Sequence, residues 1–393
     1  MAGSTREVFT AFLRLGVTAF GGPIAHLGYF RTEFVERRRW LTDEQYAQLM
    51  ALCQFLPGPA SSQLGFALGI LRAGWPGGIA AFIAFTLPSA LLLLALAGVY
   101  PYLEGPWAEG ALSGLKLVAV AIVAHAVLGM GRQLCPDAPR ILIAGVSGAI
   151  LLLAGSAWMQ LLVVAAGGLA GLWLCRQVAS PDPGRWSLRY GPRTGLMLVG
   201  AFAALLIGLP LLALAGGLWP LVEAFYRAGA LVFGGGHVVL PLLQESVVAT
   251  GWVESEDFLA GYGAAQAIPG PMFTFAAYLG ALAAENALLG STLALLAIFL
   301  PGLLLVAGLL PLWERLAGIH GAGAVIAGVN AAVVGLLAAA LYDPIGLQGI
   351  ETHLDAAIAL IGFSLLATDR VSVIWVVLWC VTASIATKLV LPA

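Results

Sequence analysis

The chain has 393 residues, of which 61% are hydrophobic and only 10% are charged, and its mean hydropathy is +0.97. Soluble domains carry about 25% charged residues, so this composition excludes a soluble protein and indicates one surrounded by membrane lipid. The formal net charge is -2, which provides no basic face, and we expect no nucleic-acid partner.

Two short apolar segments come first in the chain, residues 8 to 20 and 45 to 56. A helix of about a dozen residues reaches roughly 20 Å, which is short of a hydrocarbon core of about 30 Å. We expect each segment to pair with the one that follows it, 24 to 35 and 61 to 71, as a re-entrant helical hairpin. The alternative is a single broken helix that crosses the membrane.

Longer apolar runs follow, and they supply the remaining membrane helices. They cover residues 77 to 100, 111 to 128, 141 to 155, 160 to 175, 195 to 215, 287 to 311, 320 to 341, 356 to 368 and 371 to 390. Some of these runs are shorter than the ~20 residues that a full span requires. The predicted fold class is an all-α polytopic membrane protein.

Two unusual motifs each occur twice along the chain. The first half contains Phe20-Gly21-Gly22 and Pro57-Gly58-Pro59, and the second half contains Phe233-Gly234-Gly235 and Pro269-Gly270-Pro271. We call these the FGG and PGP motifs. Since their spacing is kept to within one residue, we interpret the chain as an internal duplication. We predict an N-terminal repeat at 1 to 190, a connecting transmembrane helix at 191 to 220, and a C-terminal repeat at 221 to 393.

The arginines predict how the two repeats are oriented. Arg37, Arg38 and Arg39 follow the first FGG motif, whereas the matching loop at 251 to 257 has three acidic residues and no Lys or Arg. Lys and Arg favour the cytoplasmic side, so these two loops are expected on opposite sides of the membrane. The repeats are therefore predicted to have inverted topology, with the first hairpins opening to the cytoplasm.

The PGP motifs are candidate anion sites. Proline removes a backbone donor and glycine frees the dihedral angles, so each PGP ends one helix and begins another. The new N-terminus presents unpaired N–H groups and a partial positive charge. Ser61 and Ser62 follow the first PGP, and Thr274 follows the second. Amides beside hydroxyls suit a tetrahedral oxyanion, and inverted repeats would bring both tips to one midplane site.

The alternative interpretation of PGP is a packing kink, which is common in membrane helices. A kink would not require the matched Gln54 and Gln266, which stand three residues before the two motifs. For FGG, the alternative is close helix packing through small residues. The matched positions favour a binding function for both motifs.

Charged residues inside apolar segments extend the predicted site. Arg14 and Arg227 each lie six residues before an FGG motif, and Lys116 aligns with Asn330 in the second half. Each is a candidate cation for an anion, with snorkelling to the interface as the alternative. The predicted substrate-binding residues are Gly21, Gly22, Gln54, Pro57, Gly58, Pro59, Ser61, Ser62, Gly234, Gly235, Gln266, Pro269, Gly270, Pro271, Thr274, Arg14, Arg227 and Lys116.

Three residues are candidates for proton coupling: His26, His237 and Glu33. Histidine titrates near neutral pH, although a lone histidine is as often a structural hydrogen bonder. We expect no metal ion and no cofactor, because the four cysteines are scattered singly and form no ligand spacing. An intramembrane redox enzyme would need such a group.

Several motifs resemble the chromate ion transporter family. They are Phe20-Gly21-Gly22-Pro23 with His26, Arg39-Trp40-Leu41, Leu56-Pro57-Gly58-Pro59, Phe233-Gly234-Gly235-Gly236-His237, Gln266-Ala267-Ile268-Pro269-Gly270-Pro271 and Leu300-Pro301-Gly302. Because both repeats are fused in one chain, the protein resembles the long, two-domain members.

This resemblance implies a multi-pass protein of the bacterial inner membrane that exports chromate and confers chromate resistance. It implies a transporter and not an enzyme, and a homodimer is compatible with it. Transport of sulfate or of another oxyanion is the alternative substrate assignment. An anion channel of the same fold is the alternative mechanism.

Overall fold

The computed structural model describes residues 3–20, 22–102, 105–154, 157–177, 188–233, 238–313, 321–368 and 370–390, and within these ranges every regular element is helical. The first half contains α1 (Thr5–Thr18), α2 (Gly22–Arg31), α3 (Asp43–Phe55), α4 (Ala60–Val99), α5 (Pro106–Leu134), α6 (Ala138–Leu153) and α7 (Ala157–Leu174). Helix α8 (Pro192–Ala213) follows. The second half contains α9 (Trp219–Ala230), α10 (Val239–Val247), α11 (Ser255–Ala267), α12 (Phe275–Ala283), α13 (Ala287–Leu309), α14 (Ala322–Ala340), α15 (His353–Ala367) and α16 (Val373–Val390).

Six stretches of the described chain are helical, long and apolar enough to cross a membrane. They are Ala60–Val99, Pro106–Leu134, Pro192–Ala213, Ala287–Leu312, Ala322–Gly349 and Val373–Val390. The prediction of an all-α, multi-pass membrane protein is confirmed. Helix α8 lies where a connecting helix is predicted, while the division into two repeats remains a prediction.

Helix α1 forms because a capped start is followed by an apolar stripe. The side chain of Ser4 accepts a hydrogen bond from the Glu7 amide at 3.1 Å, which satisfies one of the unpaired donors of the first turn. The buried residues Val8, Ala11, Phe12 and Leu15 recur at intervals of three and four. This spacing places them on one helix face, which packs against α4.

Helices α1 and α2 form the first predicted hairpin. Three residue pairs meet in order along its two legs: Ala19 with His26 near the turn, Phe12 with Phe30 halfway, and Glu7 with Trp40 at the open end. At the open end, the Trp40 indole donates to the Glu7 carboxylate at 3.1 Å. The second leg therefore returns to the end where the first began, and these contacts do not fit a single broken helix that crosses the membrane.

Helix α3 and the first part of α4 form a second hairpin, whose turn is the first PGP. Helix α4 breaks at Ala73 and Gly74, where Gly74 has a φ of 70°, and then continues as a long apolar helix. Just before this break, Arg72 lies 5.1 Å from the Trp40 ring and 3.1 Å from the Glu7 carboxylate. The open ends of both hairpins therefore lie together, at the start of the long part of α4.

The second half repeats the close packing of the first. Gly16 of α1 lies against the backbone of Phe85 on α4, and Gly229 of α9 lies against the backbone of Ile298 on α13. Both members of the second pair lie 213 positions after their counterparts. Small residues let two helix backbones approach closely, which is a common basis of helix association in membranes.

The far end of α4 meets the start of α11. The hydroxyl of Tyr100, which follows α4 directly, donates to the Asp257 carboxylate at 2.5 Å. Trp313, which follows α13, is buried in the cluster that includes Val8 and Tyr46 near the open ends of the first two hairpins. The end of α4 thus reaches a hairpin of the second half, and the residue that follows α13 belongs to the same core cluster as the first two hairpins.

We expect Gly229→Ala to weaken the packing of α9 on α13, because the added Cβ would overlap the Ile298 carbonyl oxygen. Overpacking of this kind costs about 1–3 kcal/mol. The measurement is thermal unfolding in detergent. Gly200→Ala on α8 is the matched control, since nothing lies within 4 Å of the position its Cβ would take. Equal unfolding temperatures for the two variants would contradict the packing account.

Candidate functional site

Each PGP turn is bonded to the FGG turn of the other half. The Gly58 amide donates to the Val232 carbonyl oxygen at 2.7 Å, and the Gly270 amide donates to the Ala19 carbonyl oxygen at 3.0 Å. Val232 and Ala19 each stand directly before the Phe of an FGG motif. The same contact is therefore made twice, once in each direction, and we call this region the crossing.

The two central glycines of the crossing have no room for a side chain. Gly58 has a φ of 119° and Gly270 has a φ of 112°, a conformation that residues with a Cβ rarely adopt. A Cβ on Gly58 would lie 2.9 Å from the Gly302 Cα, and one on Gly270 would lie 2.7 Å from the Ser89 hydroxyl oxygen. Each PGP tip therefore lies against the long helix of the other half, at a residue that directly follows a proline.

The first tip presents unpaired donors at the start of α4. The first backbone bond of this helix runs from the Gln63 amide to the Pro59 carbonyl at 2.9 Å, so the three preceding amides have no helical partner. No side chain caps this end, and Ser61 and Ser62 are both buried. The Ser62 hydroxyl finds no hydrogen-bond partner among the described residues. This arrangement fits the predicted anion site.

His26, a residue that the sequence analysis selects, also contacts the crossing. Its side chain is fully buried, and its Nε2 lies 3.1 Å from the Ala19 carbonyl oxygen, which also accepts the Gly270 amide. Its ring meets the edge of Phe85 at 5.2 Å between centroids. His26 is thus joined to the PGP tip of the second half through one shared carbonyl.

The second tip satisfies its own polar groups. The Thr274 hydroxyl donates to the Pro271 carbonyl at 2.6 Å, and the Gln266 amide nitrogen lies 3.0 Å from the Met272 sulfur. Gln266 is buried, whereas Gln54 is exposed. The two matched glutamines therefore occupy different environments.

The three predicted cations are held away from the tips. Arg14 lies on the exposed face of α1, and Arg227 pairs with Glu223 at 2.7 Å. Lys116 is only 6% exposed and lies 3.4 Å from Glu256 and 3.3 Å from Glu351. No ion pair or hydrogen bond in the described ranges joins these cations to a PGP turn, and their roles in anion binding stay predictions.

Glu33, the acidic candidate for coupling, lies at the opening of the first hairpin. It is buried within a π-helical turn at Thr32–Arg37, and its carboxylate pairs with Arg38 at 2.7 Å and Arg37 at 3.6 Å. Seven residues separate Glu33 from His26, or about 10 Å along a helix. The two candidates therefore lie at different depths.

Four predicted site residues, Gly21, Gly234, Gly235 and His237, lie outside the described residues. Gly22 begins α2 with a φ of 76°, and nothing lies within 4 Å of the position a Cβ would take. Glycine is therefore favoured at position 22 by the backbone conformation and not by the packing.

The crossing also includes residues that the sequence analysis did not select. Gln63 is fully buried and donates to the Pro57 carbonyl at 2.9 Å and the Gly302 carbonyl at 3.2 Å, which ties the first tip to α13. The Ser89 hydroxyl donates to the Thr86 carbonyl at 3.0 Å, beside the second tip. The sequence contained a signal for this part of the crossing. Pro88 precedes Ser89, Pro301 precedes Gly302, and the two prolines stand 213 positions apart, as the FGG motifs do.

A membrane-embedded helical protein whose halves interlock through broken helices is typical of secondary transporters. The model of the chromate transporter family matches residues 6–172 and again residues 219–385. The chain belongs to the chromate transporter family. The two matches begin and end 213 positions apart, in agreement with the duplication interpreted from the FGG motifs. The resemblance stated from the motifs is confirmed.

Several curated relatives are similar over most of the chain. The chromate transport protein of Cupriavidus metallidurans is 31% identical over 349 residues, which cover 86% of this chain and 81% of the relative. The probable chromate transport protein of Synechococcus elongatus is 31% identical over 369 residues, or 91% and 89% of the two chains. The chromate transport protein of Pseudomonas aeruginosa is 30% identical over 363 residues, or 86% and 80%. No match was found among solved structures.

The family consists of transporters, so this protein is a transporter and not an enzyme.

We expect Lys116→Met to destabilise the protein, because it removes the buried cation that pairs with both Glu256 and Glu351. The expected cost is about 1–3 kcal/mol, between the values for exposed and for buried pairs. Thermal unfolding measures it, with Lys388→Met as the control, since no ion pair of Lys388 is described. Unchanged stability with lost transport would instead favour the predicted role of Lys116 as a cation for the anion.

Proposed function

We propose that this protein is a secondary transporter that exports chromate across the cytoplasmic membrane by alternating access and thereby confers chromate resistance. The reciprocal bonds at the crossing carry the proposal, because they join the two halves at one buried site with unpaired donors. Family membership and the printed names of the relatives support chromate as the substrate. Export is the direction that the family resemblance implies.

Contacts at the two ends of α4 support an inverted arrangement of the repeats. The hairpins of the first half open beside Arg72, where the long part of α4 begins. The second PGP hairpin opens beside Tyr100, where α4 ends, through the bond to Asp257. Hairpins that open at opposite ends of one membrane helix are what inverted-topology repeats require.

The same contacts suggest how access would alternate. At one opening, Arg72, Glu7 and Trp40 close the first hairpins. At the other opening, two interactions hold the start of α11: the Tyr100–Asp257 hydrogen bond and the Lys116–Glu256 ion pair. We propose that one set of ties opens while the other stays closed, and that the repeats rock about the crossing between them.

The first tip fits an oxyanion without a buried cation. The positive end of the α4 dipole and three unpaired amides converge where Ser61 and Ser62 supply hydroxyls. The Thr274 hydroxyl already donates to Pro271, so its part in the site would require that bond to break. We therefore assign the principal contacts to the first tip.

The membrane potential favours the export of an anion. An inside-negative potential provides about 2.3 kcal/mol per net charge per 100 mV to an anion that leaves the cell. The sequence contains no phosphate-binding GxxxxGK[ST] loop that would couple the step to ATP.

Uptake of labelled chromate into inverted vesicles tests the site. We expect Gly58→Ala and Gly270→Ala each to lower uptake by at least about tenfold, because an added Cβ would separate the tips from the long helices of the opposite half. A misplacement of about 1 Å at a reacting site can lower its rate about a hundredfold, and we expect a comparable sensitivity here. Gly251→Ala is the matched control, because Gly251 also has a positive φ but has no atom within 4 Å of the Cβ position. Normal uptake in both tip variants would refute the site assignment.

Competition in the same vesicles separates the remaining alternatives. Excess sulfate that abolishes chromate uptake would indicate a general oxyanion transporter. Sulfate uptake without chromate uptake would reject chromate as the substrate. Currents far above the turnover of a carrier would favour an anion channel.

Transport as a function of pH tests proton coupling. Of the candidates, His26 contacts the crossing, whereas Glu33 is paired at the opening. We expect His26→Gln to flatten the pH dependence of chromate uptake, and Glu33→Gln to leave its shape unchanged. A flat profile for Glu33→Gln alone would assign coupling to Glu33. An unchanged profile for both, and for His237→Gln, would remove proton coupling through these residues.

A further inference from the structure

We infer that the first tip binds its tetrahedral oxyanion together with one proton, which is held between His26 Nδ1 and an oxygen of the anion. The inference rests on the proposed function and names the bound species: a hydrogen oxyanion, such as hydrogen chromate. It also makes His26 a residue that distinguishes chromate from sulfate.

The neighbours of His26 determine which ring nitrogen carries hydrogen. Nε2 faces the Ala19 carbonyl oxygen at 3.1 Å, and a carbonyl can only accept a hydrogen bond. The neutral ring therefore has its hydrogen on Nε2, and Nδ1 is left with a lone pair. Nδ1 is buried and finds no partner in the described part of the chain. A buried acceptor without a donor costs free energy, so Nδ1 is suited to a ligand that donates a hydrogen bond.

His26 and the start of α4 lie at the same depth. A Cβ on Gly65 would lie 3.5 Å from the Phe30 ring, so these two residues face each other. Both α2 and this part of α4 run from tip to opening. His26 lies one helical turn nearer to the tip than Phe30 does. Ser61 and Ser62 lie one turn nearer to the tip than Gly65 does. His26 and the two serines thus stand one turn nearer the tip, and we take the unpartnered Nδ1 and the unpaired amides as one site.

The hydrogen-bonding groups of this site match a hydrogen oxyanion. Such an anion has three oxygens that accept and one O–H that donates. The amides at the start of α4 and the Ser62 hydroxyl can serve the accepting oxygens, and the buried Thr86 hydroxyl, also unpartnered among the described residues, stands beside Phe85. Nδ1 then receives the O–H, so every group has a partner.

A fully deprotonated oxyanion offers no donor to Nδ1. It can bind only if His26 takes a second proton from solvent, and the bound pair then contains the same number of protons. One proton therefore enters the site with each anion, whether the anion or His26 carries it. Chromate keeps a proton close to neutral pH, as phosphate does, whereas sulfate loses both in all but strong acid. Sulfate would have to bind with a charged, buried histidine, which burial disfavours.

No other titratable group of the surrounding elements is described in contact with the His26 ring. On α1, Glu7 pairs with Arg72 at the opening, and Arg14 is exposed. Glu33 pairs with Arg37 and Arg38, and Arg31 pairs with Glu36 and Asp43. On α3, the Tyr46 hydroxyl donates to the Leu27 carbonyl, and the second tip presents the Gly270 amide. The proton is therefore assigned to His26 and the anion.

The second half does not repeat this site at the aligned positions. Val239 stands 213 positions after His26, and Phe299 stands 213 positions after Thr86. The ring of Phe299 packs against Phe82 and Phe273, with centroids 5.2 and 5.9 Å apart. We therefore expect one hydrogen oxyanion per chain.

The test is equilibrium binding of labelled chromate to the purified protein in lipid nanodiscs, at a pH where free chromate is fully deprotonated. Proton exchange is followed with an indicator dye in weak buffer. We expect about one proton taken up per chromate bound, one chromate per chain, and an affinity that falls about tenfold per pH unit through linkage. His26→Gln keeps a donor for the Ala19 carbonyl but removes Nδ1. We expect it to bind without proton uptake and with equal affinity for chromate and sulfate.

His353→Gln is the matched control, because His353 is exposed at the start of α15, and it should behave as the parent does. Chromate binding by the parent without proton uptake would overturn this inference and leave the proposed function standing. Proton uptake that persists in His26→Gln would also overturn it. No chromate binding by the folded parent would instead contradict the proposed function. Ser62→Ala should weaken binding while keeping the proton stoichiometry, which separates the anion contacts from the proton site.

Discussion

The two reciprocal backbone bonds at the crossing are the constraint on which the rest of the molecule depends. A helix that stops inside a membrane exposes amides and carbonyls that lipid cannot satisfy, and each unsatisfied group costs several kcal/mol. Here the broken end of one half is completed by the other, through Gly58 with Val232 and Gly270 with Ala19. Neither half satisfies its own PGP turn by this contact, so each half depends on the other at the crossing.

The crossing also explains why glycine is used where it is. Gly58 and Gly270 need a positive φ, and each lies against the long helix of the opposite half. These contacts adjoin Pro88 and Pro301, where a missing backbone donor interrupts the helix ladder. Broken helices and proline-containing helices thus meet at the crossing.

Similar backbones in the two halves carry dissimilar side chains. The first tip has Ser61, Ser62 and the nearby His26, with buried polar atoms that lack partners, whereas Thr274 of the second tip bonds back to its own turn. Two halves of similar backbone would provide the symmetric frame that the proposed alternating access needs. In the proposed function, the first tip contacts the anion and the second half supports it.

The sequence by itself determined the fold class, the short hairpins and the family, and it predicted the duplication, because each depends on local composition, helix length or spacing along the chain. It also selected His26, Ser61 and Ser62, whose roles in binding stay predictions. Only the tertiary structure decided which partner each group meets: Lys116 lies between two carboxylates, Gln54 is exposed although Gln266 is buried, and Gln63 joins the first tip to α13. These partners lie up to more than two hundred positions apart along the chain. No local pattern records such a pairing, since it arises from how the helices pack.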